Sequence, residues 1–136
     1  VHDGKTVALA EGFGGVCVEC FELDIYAPNH LGATNDAWKN AFLRGRHVGC
    51  SLLVATQRPQ LVDRIATSQA GRIITFAMFE PAELKYLEGA GGQRFRELAQ
   101  KLPRYHSAWL HKDDWRIEHR GADYQILHSW HGYGSP

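Results

Sequence analysis

The chain has few cysteines, no net charge and no long apolar segment. No hydrophobic run approaches the ~18 residues that a membrane-spanning helix needs, so we expect no membrane span. The three cysteines are an odd number and two of them lie in one strand-like run, which argues against a disulfide framework and for a reducing compartment. A secretory leader would be a charged stretch followed by an apolar segment. The sequence shows no such stretch, so we expect no secretion.

The composition is typical of one globular domain. Of the 136 residues, 44% are hydrophobic and 22% are charged, which is enough apolar material to build a core. The first residue is Val1 rather than methionine, which suggests a fragment or a processed chain. We therefore expect the motifs to belong to one folded core.

Opposite charges cancel overall but are unevenly distributed. Residues 1–38 carry six acids and one base, whereas residues 39–104 carry eleven bases and five acids. Most bases of this middle block are arginines, whose planar guanidinium groups bind phosphate in a bidentate manner. The middle block is therefore suited to a polyanionic partner, although a solvated face with scattered bases has the same composition.

Hydrophobic patterning predicts strands that alternate with helices. The predicted strands are residues 15–21, 51–56, 72–77 and 105–110. The predicted helices are residues 35–46, with Thr34 as N-cap and Trp38, Ala41 and Phe42 buried, and residues 60–68, 81–87 and 93–102. This alternation favours a three-layer α/β core, in which helices flank a parallel sheet that contains the first three strands.

Two segments fit this core less well. The glycine-rich residues 88–92 are expected to form a mobile loop between two helices. Residues 113–136 are rich in aromatic residues and histidine, and are expected to form an appended hairpin or an irregular tail. We therefore assign residues 1–112 to the core and residues 113–136 to a C-terminal extension.

Polar residues follow two predicted strands at the edge where α/β sheets bind ligands. Glu22 and Asp24 follow the first strand, and Thr56, Gln57 and Arg58 follow the second. Carboxylates at the end of a buried strand can hold magnesium and orient water, and a glutamine can contact a phosphate oxygen without titrating. Acids also follow strands simply because they begin loops, so both interpretations stay open.

Arg44 and Arg46 precede the second strand and follow a predicted helix. An arginine that reaches the phosphate of a neighbouring subunit would act as an arginine finger. Cations at this position can equally complement the dipole at the C-terminus of the helix. The sequence pattern alone does not distinguish these two roles.

Taken in order, these segments resemble the FtsK/HerA superfamily of P-loop motor ATPases, which includes chromosome translocases, viral genome-packaging ATPases and Zot-like assembly proteins. The resemblance covers residues 14–110 and is most specific in the run Arg44-Gly-Arg-His-Val-Gly-Cys-Ser-Leu-Leu-Val-Ala-Thr-Gln-Arg-Pro59. Residues 61–66, 72–76 and 80–81 continue in the family's order, and residues 22–28 resemble the segment that follows the family's second nucleotide motif. The resemblance implies a P-loop NTPase-like fold, with residues 1–112 as the C-terminal part of a RecA-like core.

The resemblance also implies an ATP- and Mg²⁺-dependent translocase or packaging motor, which acts on double-stranded DNA as a homo-oligomeric ring. Glu22 would activate water, Gln57 would sense the terminal phosphate, and Arg46 or Arg44 would reach the neighbouring subunit. Thr56 would contact the nucleotide and Asp24 would support the magnesium. The expected location is the cytoplasm, or a virus that assembles in the host cytoplasm.

Two features depart from the family's pattern. When Glu22 is aligned with the family's glutamate, Phe21 stands where the magnesium-supporting aspartate is expected. Gly4-Lys5-Thr6 ends like a phosphate-binding loop, but the first glycine of such a loop would lie before Val1. We therefore expect the loop upstream and negligible ATPase activity from residues 1–136 alone. The alternative is a hydrolysis-deficient binding or assembly module of the same fold, which contacts DNA or a motor partner.

Overall fold

The computed structural model describes residues 16–28 and 36–132 and divides the chain into two compact units, Val1–Gln69 and Ala70–Pro136. The proposed N-cap Thr34 and the tripeptide at residues 4–6 lie outside the described residues. The division falls between Gln69 and Ala70, whereas the sequence places a boundary after residue 112. The assignment of residues 1–112 to a RecA-like core stays a prediction.

The first unit contains a parallel strand pair and short helices. Its elements, in chain order, are β1 (Val16–Cys20), α1 (Leu23–Tyr26), α2 (Asp36–Arg44), a 3-10 turn (Gly45–Val48), β2 (Cys50–Val54), a second 3-10 turn (Pro59–Leu61) and α3 (Arg64–Gln69). The two strands pair in parallel from Val16 opposite Cys50 to Cys20 opposite Val54. The α/β character and the parallel pairing predicted from the sequence are confirmed.

One apolar cluster holds the first unit together. Trp38 of α2 is fully buried, and Ala41 of the same helix is also buried, as the helical pattern predicts. Phe42 is partly buried and packs against this cluster. The other buried members are Val18, Cys20, Leu23, Ala27, Cys50, Val62 and Ala66. Because both strands contribute alternate residues to the cluster, its packing fixes their register.

The second unit is a four-stranded antiparallel sheet with one long helical segment. Its elements are β3 (Arg72–Thr75), α4 (Pro81–Lys101), β4 (Ser107–His111), β5 (Arg116–Arg120) and β6 (Ile126–Trp130). The strands lie in the order β3-β4-β5-β6. Its core consists of Leu87, Phe95, Ala99, Leu102, Ala108, Leu110 and Ile117. Within the described residues, no helix combines the length and hydropathy needed to cross a membrane.

The prediction that the first three strands form one parallel sheet is wrong for β3, because in the described part of the chain β1 pairs with β2 and β3 is an edge strand of the other sheet. There β3 pairs antiparallel with β4, Thr75 lying opposite Ala108. The antiparallel direction of β4 follows from the shape of α4. A straight helix of 21 residues would be about 30 Å long and would carry the chain to the far end of the sheet. Instead Met78, just before α4, donates its N–H to the carbonyl of Ala99 near its end at 3.2 Å. The helix therefore folds back, and β4 runs antiparallel to β3.

The fold-back occurs in the glycine-rich segment, which is not the mobile loop that the sequence predicts. The helical run continues through Gly89 and Gly91 and breaks at Gly92, whose φ of 84° and ψ of 180° are non-helical. Gly91 is buried, and a Cβ there would lie 2.9 Å from Leu110 Cδ2 and 2.7 Å from Phe95 Cδ2. Gly91 thus allows close packing, and Gly92 allows the kink.

Of the two alternatives predicted for the C-terminal residues, an appended hairpin or an irregular tail, the described part of the chain forms the hairpin, which is joined to the sheet of the second unit. Within residues 113–132, β5 and β6 form a hairpin whose first strand pairs with β4 along its full length. Ile117 of β5 is fully buried in the core of the second unit, and Trp130 of β6 packs against that core. Trp130 is therefore part of the sheet and covers its apolar core.

Candidate functional site

The carboxyl ends of β1 and β2 lie side by side, as the sequence predicts. Backbone hydrogen bonds continue the parallel ladder past both strands: Ala55 N–H donates to the Cys20 carbonyl at 2.8 Å, and Leu23 N–H donates to the Ala55 carbonyl at 3.1 Å. Glu22 lies between these two bonds. The polar segments that follow the strands therefore meet at one edge of the sheet.

A side-chain hydrogen bond joins the two segments. Thr56 Oγ1 donates to Asp24 Oδ1 at 2.9 Å and accepts the backbone N–H of Arg58 at 3.0 Å. Asp24 is in the first turn of α1, whereas Thr56 follows β2. The bond therefore orients the Asp24 carboxylate relative to the second strand and leaves its other oxygen, Oδ2, for a further partner.

Glu22 and Gln57 are the exposed members of this edge. Both side chains face solvent, where a nucleotide or a water molecule can reach them. Phe21 is also exposed, with 64% of its surface accessible, so this residue does not contribute to the core. The edge thus presents the Glu22 carboxylate and the Gln57 amide. Phe21, next to Glu22 in the chain, places an apolar ring where the resemblance implies an aspartate.

The negative charges at this edge also affect the pKa of Cys20, the last residue of β1. Burial raises the pKa of its thiol, a hydrogen bond from the Glu22 backbone lowers it, and the charges of Glu22 and Asp24 raise it further. The net shift is upward, so Cys20 stays a protonated thiol near neutral pH. Only the thiolate binds metals or attacks electrophiles well, so the protonated Cys20 has no chemical role at the edge and serves as a residue of the core.

The oxygen donors of this edge are those that Mg²⁺ prefers. Mg²⁺ is usually held by one or two carboxylates together with substrate phosphates and water. Glu22, Asp24 and the Thr56 hydroxyl fit that requirement in chemical type. The described residues hold no group of three or more His, Cys, Asp or Glu that could bind a metal alone, so phosphate oxygens would have to complete the ligand set.

Arg44 and Arg46 lie at the opposite end of β2. Arg44 is the exposed last residue of α2, and Arg46 belongs to the 3-10 turn that precedes the strand. The five residues of β2 span about 16 Å between this turn and the edge that carries Gln57. The backbone therefore does not place the two arginines at the Glu22 edge of this chain.

Sequence reasoning missed a second junction at the Glu22 edge. Pro28, after α1, pairs with Val62 in an antiparallel bridge, and Asp63 N–H donates to the Ala27 carbonyl at 2.7 Å. Asp63 Oδ1 also accepts the N–H of Ile65 at the start of α3. An aspartate one residue before a short helix is the available sequence signal, since this residue type caps helices. The junction holds the loops on both sides of the site together.

Sequence reasoning also missed a buried charged network in the second unit. His111 and Glu118 are each 3% exposed, and His111 Nε2 lies 2.6 Å from Glu118 Oε1. Arg120 donates twice to the same oxygen, at 2.7 and 3.2 Å. Arg72 Nε–H donates to His111 Nδ1 at 3.1 Å, so a neutral His111 carries its proton on Nε2 and donates it to Glu118. The alternation of charged Arg116, Glu118 and Arg120 was the available signal.

This network sets the ionisation of Glu118. Burial raises the pKa of its carboxyl, but hydrogen bonds and charges from Arg120 and His111 lower it by more, so the net pKa is below its ordinary value. Glu118 is therefore ionised at neutral pH although it is buried. Its hydrogen bonds on the sheet of the second unit make it a structural charge.

No family model matches the chain, and no curated protein matches it. Solved structures do match. The genome packaging NTPase B204 from Sulfolobus turreted icosahedral virus 2, in complex with ATP-γ-S, matches with a TM-score of 0.73 and 24% identity over 79% of this chain and 52% of that one. The same protein in complex with AMPPCP has a TM-score of 0.71 over 77% of this chain and 53% of that one.

A third structure is B204, the DNA-packaging ATPase from Sulfolobus turreted icosahedral virus. It matches with a TM-score of 0.73 and 23% identity over 85% of this chain and 54% of that one. The chain thus spans about half of the length of these proteins. At this level of identity the likeness concerns the fold. The fold that the resemblance implies is therefore confirmed, because this chain shares its fold with B204 over about four fifths of its length.

Proposed function

We propose that this chain is part of an ATP-driven motor that packages or translocates nucleic acid. The observation that carries the proposal is the meeting of Glu22, Asp24, Thr56 and Gln57 at the carboxyl ends of two parallel strands, linked by the Thr56–Asp24 hydrogen bond. This edge is where parallel α/β sheets bind ligands. The B204 structures contain nucleotides in a protein of the same fold, which supports ATP as the ligand.

Each residue of the edge has a chemical role in this proposal. The exposed Glu22 carboxylate orients and polarises the water that attacks the terminal phosphate. Gln57 donates its amide N–H to an oxygen of that phosphate, and it does so at any pH because the amide does not titrate. Asp24 supports the Mg²⁺ that accompanies the nucleotide, and Thr56 contacts the nucleotide. Mg²⁺, when bound, neutralises phosphate charge, and the Thr56 hydroxyl keeps the Asp24 carboxylate oriented for it.

The arginines before β2 require a second subunit. Arg44 and Arg46 precede the strand whose far end carries Gln57, so neither is placed by the backbone at its own subunit's edge. In a homo-oligomeric ring, Arg46 would reach the phosphates bound by the next subunit, and Arg44 is the next candidate. Double-stranded DNA is the proposed cargo, and the arginine-rich middle block supplies the basic surface.

The test compares two glutamates in the protein that contains this chain. Glu22→Gln removes the carboxylate at the strand exit, whereas Glu19→Gln removes the same charge from within β1 and serves as the matched control. A positioned general base contributes about 10²- to 10⁴-fold to turnover. We expect Glu22→Gln to lower ATP turnover by a factor in this range while binding of a fluorescent ATP analogue is retained, and Glu19→Gln to leave both nearly unchanged.

Other outcomes separate the alternatives. If the wild-type protein binds nucleotide but does not hydrolyse it, the chain is a binding or assembly module, and Phe21 explains the loss. If Glu19→Gln abolishes turnover instead, the catalytic carboxylate has been assigned to the wrong residue.

An arginine finger contributes about 10³-fold or more to ATP turnover. Mixtures of Arg46→Ala and Glu22→Gln subunits should regain activity if Arg46 acts on a neighbouring subunit.

A further inference from the structure

Two histidines of the second unit contact each other directly at the turn between α4 and β4. His106 Nδ1 lies 2.9 Å from His119 Nε2, and the ring centroids are 5.1 Å apart. His106 ends the turn, where its N–H donates to the Pro103 carbonyl at 3.1 Å. His119 belongs to β5. The contact therefore joins the turn to a strand that is not its neighbour along the chain.

A ring–ring hydrogen bond of this length has a strict proton requirement. One nitrogen must donate and the other must accept, because two N–H groups cannot point at each other across 2.9 Å. The pair can thus hold one extra proton at most while the contact exists. A second proton turns both nitrogens into donors and must break the contact.

The surroundings of His119 favour its uncharged form. His128 of β6 is the register partner of His119, and its ring packs against that of Trp130, with centroids 4.2 Å apart and planes tilted by 43°. Arg94 of α4 lies over the Trp130 ring, 5.4 Å from its centroid. The charged group of the turn itself is Arg104, which lies 4.8 Å over the ring of Tyr105. Burial, together with the nearby His106 and His128, therefore disfavours a positive charge on His119 and lowers its pKa.

The turn also contains a strained residue. Tyr105 has a φ of 67°, in the left-handed region that non-glycine residues rarely adopt, and its side chain is exposed. Such a conformation persists only where surrounding contacts hold it. The His106–His119 contact is placed one residue away and can supply that restraint. Loss of the contact would let the turn relax.

We propose that the His106–His119 contact is a pH-sensitive latch, which holds the turn at residues 103–106 against β5 near neutral pH and releases it when both rings are protonated. Burial lowers the pKa of His119 below its ordinary value of 6.5, and the nearby His106 and His128 lower it further. Unfolding restores the ordinary value, so the contribution of His119 to stability is complete above pH 6.5 and is lost as the pH falls from there towards the folded-state pKa.

The test measures hydrogen-exchange protection of the amides of residues 104–108 in the full chain, at about pH 7.5 and about pH 5.5, on either side of the ordinary histidine pKa. Loss of one hydrogen bond corresponds to a fall in protection of about five- to tenfold. We expect this fall in the wild type. We expect it to be absent in His119→Gln and in His106→Gln, whose amide side chains hydrogen-bond but do not titrate. It should persist in His47→Gln, which changes an exposed histidine of the first unit.

A second measurement requires no variant. Nuclear magnetic resonance titration of the ring signals reports the protonation of each histidine in the wild-type chain. The proposal requires His119 to titrate below 6.5 and the amides of the turn to lose protection over the same pH range. Equal protection at both pH values, or a fall that persists in both glutamine variants, would overturn it. So would titration of His119 at its ordinary value.

Discussion

The glycines of α4 allow a sharp test of why this helix folds back. Gly89 and Gly91 are two residues apart in the same helical segment, but their surroundings differ. A Cβ at Gly89 would meet nothing within 4 Å, whereas at Gly91 it would lie 2.7 Å from Phe95 Cδ2 and 2.9 Å from Leu110 Cδ2. Gly92 has a third environment, because its φ of 84° is in the left-handed region.

These environments predict three different effects of alanine on the free energy of unfolding. Gly89→Ala should stabilise the chain by about 0.5–1 kcal/mol, since alanine is the better helix former. Gly91→Ala has the same propensity gain but overpacks the core, which costs about 1–3 kcal/mol. Gly92→Ala should destabilise by about 1–3 kcal/mol, because its φ and ψ lie in a region that is almost exclusive to glycine.

Urea unfolding followed by circular dichroism measures these changes. The difference between Gly91→Ala and Gly89→Ala isolates packing, because the helix-propensity gain is common to both. We expect this difference to be about 1–3 kcal/mol. Equal stabilities for the two variants would refute close packing of Gly91 against Leu110. A stabilising Gly92→Ala would refute the kink, and with it the explanation of why β4 runs antiparallel to β3.

Three further substitutions test other contacts. Glu118→Gln should cost about 3 kcal/mol at neutral pH, at the lower end for a broken buried ion pair, because Arg120 keeps some solvent contact. The wild type should lose stability as the pH falls from 4.5 towards the lowered pKa of Glu118, and Glu118→Gln should not show this loss. Urea unfolding between about pH 3 and 7 measures both. Thr56→Val should cost about 1 kcal/mol while Thr56→Ser costs less, because serine keeps the hydroxyl bonded to Asp24. Trp38→Ala should cost about 3–5 kcal/mol by thermal or urea unfolding, and a smaller value would contradict full burial.

The sequence predicted local features better than it predicted long-range pairing. The helix with buried Trp38 and the parallel pairing of β1 with β2 follow from short patterns of apolar residues. The pairing of β3 does not, because it depends on the backbone at Gly92 about 20 residues away. Four residues that include three glycines look like a loop in sequence. In the fold, Gly91 leaves room for Phe95 and Leu110.

The same distinction applies to the candidate site. Glu22, Asp24, Thr56 and Gln57 were predicted at one edge because parallel strands end together, and the backbone bonds through Ala55 place them there. The Thr56–Asp24 hydrogen bond joins residues 32 apart in sequence, so no local pattern reveals it. The roles of these residues in hydrolysis stay predictions, as does the finger role of Arg46 or Arg44.

The division of the chain makes the site and the titrating groups separable by experiment. Glu22 and Gln57 belong to the first unit, whereas His119 and Glu118 belong to the second. Acid should therefore act on the second unit in two steps, the first below pH 6.5 through His119 and the second below pH 4.5 through Glu118, because both folded-state pKa values lie under the ordinary ones. If nucleotide turnover falls in the first range and His119→Gln prevents the fall, the turn at residues 103–106 supports activity. If the fall persists in His119→Gln, it arises from another titrating group, and the latch affects only the stability of the second unit.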